Sequence, residues 1–350
     1  MNPRTQDSPT MSSLAQGYPE NPVLVRLWRG DCVESQHRGA WVYTDAEGRA
    51  LEGAGAFDAP YFARSSVKCL QALPLFETGA AERFGFTPPE IALAIASHNA
   101  EEIHTAAVAR ILAREGLEPR HLQCGPQPPG DPRARAELAR RGEKPGSIHN
   151  NCSGKHAGFL GLALQLGVAP ERYLEPDLAP QALVRGALSE MTGVSAQALG
   201  SATDGCSAPT FRLPLTALAR GFARVSSPAG LAPERRSACE RMLAAVAAHP
   251  EMIAGNHKRI CTDIARVTRG RLFPKLGGEA VYAIGVRGGE RALAIKIDDG
   301  GYRALHALIV GLLRRLKLAS AEELAALEGW EERRLKNWAG LDVGHTQTLV

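Results

Sequence analysis

Two β-patterned regions stand near opposite ends of this chain, and most of what lies between them reads as helix. Residues 23–28 read as a strand, and 40–44 and 49–53 flank the turn Asp45-Ala46-Glu47-Gly48, a hairpin signal. Late in the chain, 281–286 and 292–297 flank Arg287-Gly288-Gly289-Glu290, a second antiparallel hairpin, and 302–316 follows as an amphipathic helix. The order hairpin, helical middle, hairpin, helix points to an antiparallel sheet built from both chain ends with a helical region between them. The expected fold class is α/β of the α+β kind.

The helical middle can be divided further. One helix is expected over 66–78, closed by Gly79, and a short one from Pro88 through Ile95. After a break at Ser97-His98-Asn99, Asn99-Ala100-Glu101-Glu102 resembles a capping box opening a helix to Leu117. The 125–145 stretch is a Pro- and Gly-rich surface connection with one short helix. Further helices are expected over 157–166, 180–193 and 231–248, and the loop 203–209 is one that no core would need.

With 350 residues, 44% of them hydrophobic and 22% charged, the chain can bury a sizeable core, which excludes global disorder. A net charge of +4 from 41 basic and 37 acidic residues is too small and too scattered to mark a nucleic-acid binder. The longest apolar runs, 157–169 and 304–313, fall short of the ~20 residues that a membrane span needs. Residues 1–21 are polar without an apolar signal segment and read as a disordered lead, with 22–350 as one catalytic domain. The expected location is cytoplasmic. Seven cysteines, an odd number, argue against a disulfide framework.

Four groups of residues carry chemistry. Ser65 and Lys68 stand one helical turn apart in an apolar setting, where a desolvated lysine can activate a serine. Alone, the pair is more simply an N-cap serine and a solvated lysine. Ser97-His98-Asn99 and Lys275-Leu276-Gly277 are weaker still. Together, S-x-x-K, S-x-N and K-x-G follow the motif order of serine β-lactamases and penicillin-binding proteins, each in a matching structural context. The fourth group is Cys152-Ser153-Gly154-Lys155-His156 with Asp204-Gly205-Cys206. Cys152 and His156 are four apart at a helix start, a metal-ligand spacing, and two cysteines, one nitrogen donor and a water would satisfy zinc.

The segments RSSVKCLQALPLFETG, ASHNAEEIHT, IHNNCSGKHAGFL, TDGCSAPTFRLPL, HPEMIAGNHKRICTD and ALAIKIDDGGYRA resemble the rhizobial-type asparaginase II family, in order and over about residues 22–345. That resemblance implies a serine β-lactamase-like fold and hydrolysis of L-asparagine to L-aspartate and ammonia. It implies two Ser-Lys tandems, Ser65 with Lys68 and Ser97 with Lys275. It also implies an acidic residue, Asp204, beside the site, and zinc held by Cys152, Lys155 and Cys206. The lysine ligand departs from the spacing argument, which favours His156; His156 is kept as a supporting residue. Homodimers are the family's habit.

The mechanism expected on this basis starts with attack by Ser65 on the side-chain amide, with Lys68 as base. An aspartyl ester follows, and deacylation is aided by the same base or by Ser97–Lys275. Arg64, Asn99 and Asp204 are the substrate-binding candidates, Arg64 for the α-carboxylate and Asp204 for the α-ammonium or for orienting a zinc-bound water. The rival activities are a glutaminase and a β-lactamase or D,D-peptidase-like hydrolase. A zinc-stabilised binding protein would leave the serines and lysines without a purpose.

Overall fold

The computed structural model describes residues 19–350, so most of the expected disordered lead lies outside the described residues. Eleven strands occur among them: β1 (Val23–Arg29), β2 (Cys32–Asp45), β3 (Ala50–Ala54), β4 (Pro60–Phe62), β5 (Gly200–Thr203), β6 (Pro209–Pro214), β7 (Leu272–Gly277), β8 (Val281–Val286), β9 (Arg291–Ile297), β10 (Leu335–Lys336) and β11 (Asp342–Thr348). The main sheet runs β10-β11-β1-β2-β9-β8-β7, with β3 also on β2. The pairings within it are antiparallel, and both chain ends contribute, as the two hairpins imply.

Strand β2 is longer than its apolar half suggests. Its exposed first half pairs with β1, and its buried second half pairs with β9 on one edge and β3 on the other. Gly39 marks the change of partner: a Cβ there would lie 2.3 Å from the Lys296 carbonyl oxygen. Strands β7, β10 and β11 were not expected, nor was the helix Leu215–Ser226, which packs on β2, β8 and β9. Its Leu215, Leu218, Phe222 and Val225 are buried at helical spacing.

A small second sheet, ordered β4-β6-β5, positions the site. It fixes the residues just before Arg64 beside β6, while β5 and β6 present the loop 204–208 between them.

The helix expected over 66–78 is broken into a 3-10 turn, Arg64–Val67, and two short helices, Lys68–Gln71 and Leu73–Glu77. Pro74 lacks the N–H that a continuous helix would need, so the chain restarts there. Gly79 closes the run at φ 74° as expected. The helix foreseen from Asn99 instead spans Glu102–Arg114, because Ala100 has a left-handed φ of 61°, which a helix starting at Asn99 does not allow. The other expected helices are present as Pro88–Ala94, Pro132–Arg140, Ser153–Gln165, Ala179–Thr192, Pro233–Ala248 and Tyr302–Arg315, while Ala80–Arg83, Pro250–Ala254, Ile260–Val267 and Ala321–Ala326 were not expected.

One contiguous apolar cluster runs from Leu24 to Leu335 and joins the sheet to the helical region. All seven cysteines are free thiols, and Cys69 and Cys239 are plain core residues. Among the described residues no helix is long and apolar enough to cross a membrane.

Candidate active site

A pocket of about 450 Å³ opens where the Arg64–Val67 turn, the end of β7 and the loops around Ser97, Cys152, Asp204 and Arg259 meet. Arg64, Ser65, Ser97, Cys152, Asp204 and Cys206 line it, and Lys68, Lys155 and Lys275 are buried side chains that bond to its walls. Nine of the ten residues singled out from sequence therefore converge on one cavity.

The Ser97 loop is tied down on both sides. Ser97 N donates to the Ile253 carbonyl at 3.0 Å, His98 N to that of Asn151 at 3.1 Å, and Asn99 N to that of Ala254 at 2.9 Å. His98 is a buried ring whose Nδ1 accepts from Ala100 N at 3.2 Å and whose Nε2 meets Ser153 Oγ at 2.9 Å. Burial, with the neighbouring His104 and Lys68, holds His98 well below the usual histidine range, so the ring is a neutral brace.

Ser97 Oγ is the point where two lysines meet. Lys275 Nζ lies 2.9 Å from it and also donates to the Leu276 carbonyl at 2.9 Å. Lys68 Nζ donates to Ser97 Oγ at 3.2 Å, to the Ala96 carbonyl at 2.5 Å and to Cys152 Sγ at 3.1 Å. Lys68 thus uses three donors, the full complement of an ammonium. Lys275 differs: burial, and then the charge of Lys68, lower its pKa to about 7. A buried amine next to a hydroxyl and a second ammonium is an arrangement in which one lysine accepts the hydroxyl proton while the other steadies the resulting oxyanion.

Gly277 explains the K-x-G pattern sterically. A Cβ at this position would lie 2.8 Å from the Ala63 carbonyl oxygen and 3.1 Å from Ser66 N. Only glycine lets β7 approach the Arg64–Val67 turn closely enough to bring Lys275 under Ser97. Arg64 itself has a left-handed φ of 51°, a strained conformation for a side-chain-bearing residue at the pocket wall.

The thiols form a second cluster. Cys152 and Cys206 hydrogen-bond each other, and Lys155 Nζ lies 3.1 Å from Cys206 Sγ. The Cys206 bond, against the opposing effect of burial, and the Lys68 and Lys155 charges hold the Cys152 thiol well below its ordinary range. The same bond and burial push Cys206 up. Burial opposes a charge on Lys155, but Cys206 and Cys152 together raise its pKa. Among the described residues no group of three His, Cys, Asp or Glu side chains could hold a metal. The donor set that could do so is two sulfurs with a lysine amine.

The structure redistributes three sequence expectations. Lys68 is hydrogen-bonded to Ser97 rather than to Ser65, whose hydroxyl has no hydrogen-bond partner among the described residues. Lys68 is long enough to reach across to the neighbouring loop, a choice that one-turn spacing does not reveal. Asn99 is buried outside the pocket, with its side chain against Gly255 and Gly130 and its carbonyl accepting from Asp131 N. His156 turns into the core, where Nδ1 meets the Tyr173 hydroxyl at 2.6 Å, so Lys155 rather than His156 faces Cys206.

Arg64 Nε donates to Asp204 Oδ1 at 2.7 Å, which places the two substrate-binding candidates in a salt bridge with each other. Sequence reasoning missed Arg259, Tyr302 and His306, which also line the pocket. Arg259 falls inside a motif segment, yet a single arginine in a chain with 41 basic residues carries no signal of its own.

A family model described as L-asparaginase II matches residues 25–348, nearly the whole chain. The chain belongs to the L-asparaginase II family. No curated protein matches the chain. Among solved structures, a crystal structure of Mglu in its tris and glutamate form is similar at 14% identity and a TM-score of 0.42, covering 85% of this chain and 64% of that one. Mglu in its native form in 4.3 M NaCl is similar at 14% identity and a TM-score of 0.33, covering 80% and 61%. The chain thus spans less than two thirds of either protein.

Proposed function

We propose that this protein is an L-asparaginase that hydrolyses L-asparagine through an acyl-enzyme on Ser97. The observation that carries the reading is the Ser97 hydroxyl held between the amines of Lys275 and Lys68 at 2.9 and 3.2 Å on a pocket wall. Ser97 Oγ attacks the side-chain amide carbon and passes its proton to Lys275 Nζ. The C–N bond breaks, and the leaving nitrogen takes that proton and departs as ammonia. Water then adds to the aspartyl ester, with its proton received by Lys275 and returned to Ser97 Oγ as L-aspartate leaves. The Lys68 ammonium stabilises negative charge on Ser97 Oγ in both halves.

A second reading keeps Ser65 as nucleophile. Its hydroxyl lines the same pocket without a partner, beside the strained Arg64, and in that case Lys275–Ser97–Lys68 is the path by which its proton leaves. The experiment that separates the two is acid quenching during turnover of L-asparagine, followed by peptide mapping for an aspartyl adduct. An adduct on the Ser97 peptide, with loss of most kcat in Ser97→Ala, supports the first reading. An adduct on Ser65 moves the nucleophile there. L-Glutamine, assayed in parallel for ammonia release, tests the glutaminase alternative; one methylene is worth about 1–3 kcal/mol of discrimination.

We also propose a zinc ion held by Cys152, Cys206 and Lys155, a sulfur-rich set suited to a borderline-soft cation. When bound, it would supply a Lewis-acidic centre at the pocket wall. A homodimer acting in the cytoplasm completes the proposal, to be tested by light scattering and cell fractionation.

A further inference from the structure

We propose that Arg259 binds the α-carboxylate of the substrate, which makes the enzyme selective for amides of free amino acids. This rests on the amidase reading above. Arg64, the obvious cation from sequence, is already neutralised by Asp204. Arg259 lines the same pocket and makes no salt bridge among the described residues. Its one hydrogen bond runs from Nη2 to the Ser97 carbonyl at 2.5 Å, which leaves Nε and Nη1 free to donate. A guanidinium fixed at one corner, with its other donors unused, is prepared for a planar anion.

The charge balance of the pocket argues the same way. Its wall carries Arg64, Lys258 and Arg259 against a single carboxylate, Asp204. Asp204 Oδ1 accepts from both Arg64 Nε and Gly205 N at 2.7 and 2.8 Å, so Oδ2 remains for a cationic partner. An excess of positive charge with one free carboxylate oxygen matches a zwitterion, whose ammonium meets Asp204 and whose carboxylate meets Arg259. The bond from Arg259 to the Ser97 backbone links this carboxylate site to the residue whose hydroxyl the two lysines share.

The test compares ammonia release from L-asparagine and from its α-methyl ester, in which the carboxylate charge is gone and the side-chain amide is unchanged. The wild type should prefer asparagine by about 10- to 100-fold in kcat/KM, the worth of a charge-assisted bond. Arg259→Gln should lose that factor on asparagine, mainly through KM, and lose little on the ester. Arg259→Lys, which keeps the charge, should recover part of the preference, and it serves as the test if the glutamine variant does not fold. Lys336→Gln, exposed on β10 and away from the pocket, should leave the preference unchanged. Equal losses on both substrates, carried by kcat, would mean that Arg259 only braces the Ser97 loop, and the inference would be overturned while the amidase reading stands. No ammonia from asparagine with the wild type would remove the amidase reading, and this inference with it.

Discussion

Removing the positive charge of Lys68 should move the pH dependence of turnover upward. If Lys275 is the base, activity requires its neutral form, so kcat/KM rises with pH through the Lys275 pKa of about 7. Two pH units below that midpoint, about 1% of the amine is free, and the rate at pH 5 should be about 100-fold below its plateau. Burial is the larger cause of the depressed pKa and Lys68 the next. Both nitrogens touch one oxygen, at 2.9 and 3.2 Å, so they are at most about 6 Å apart. At an effective dielectric of about 20, two unit charges at that distance repel by about 2.8 kcal/mol, or about two pKa units. Lys68→Met should therefore shift the midpoint from about 7 toward about 9 and lower the plateau, because the oxyanion loses its ammonium. It should not restore the free-lysine value, since the burial cost remains. The assay is ammonia release from L-asparagine across pH 5–10. A Lys68→Met midpoint at or below that of the wild type, or a wild-type optimum in the acid range, would refute the assignment of Lys275 as base.

Three further outcomes follow from the geometry. Gly277→Ala should fold but lose activity, because the new Cβ must push β7 away from the Arg64–Val67 turn; an overpacking cost of about 1–3 kcal/mol should appear in Tm along with the fall in kcat. Glu115 is buried with both carboxyl oxygens unpartnered, and burial raises its pKa from 4.5 to about 9. The unfolded chain then binds fewer protons than the native one between these values, so stability falls as pH rises through that window; Glu115→Gln should raise Tm relative to wild type at pH 8 and not at pH 4.5. Elemental analysis of protein purified without added metal should find zinc, lost in Cys206→Ser and Lys155→Ala but kept in His156→Ala, whose ring is engaged with Tyr173. Zinc affinity should fall as pH drops, because thiolates and a neutral amine are needed to bind it. Zinc kept by Lys155→Ala and lost from His156→Ala would reverse the ligand assignment.

The amino-acid sequence by itself determined the parts of this protein that are local. Side-chain alternation and turn residues specify the hairpins at 40–53 and 281–297, and glycines at 79 and 193 end helices at positive φ. The family resemblance of the motif segments implied one site for Ser65, Ser97, Cys152 and Cys206, and all four line one pocket. What the tertiary structure decided is which atoms touch. Lys68 can point along its own turn toward Ser65 or across to the next loop, and only the packing of the Ala96 carbonyl, Ser97 and Cys152 against it selects the second. Lys155 and His156 differ by one residue, about 100° around a helix, and the helix start at Ser153 turns the lysine to the thiols and the histidine to Tyr173. Strands β7 and β11 gain their meaning from partners that were not adjacent in sequence, β11 from β1 more than 300 residues away. Arg259 enters the pocket for the same reason: a long-range approach to the Ser97 carbonyl fixes a side chain that no local pattern distinguishes from the other arginines.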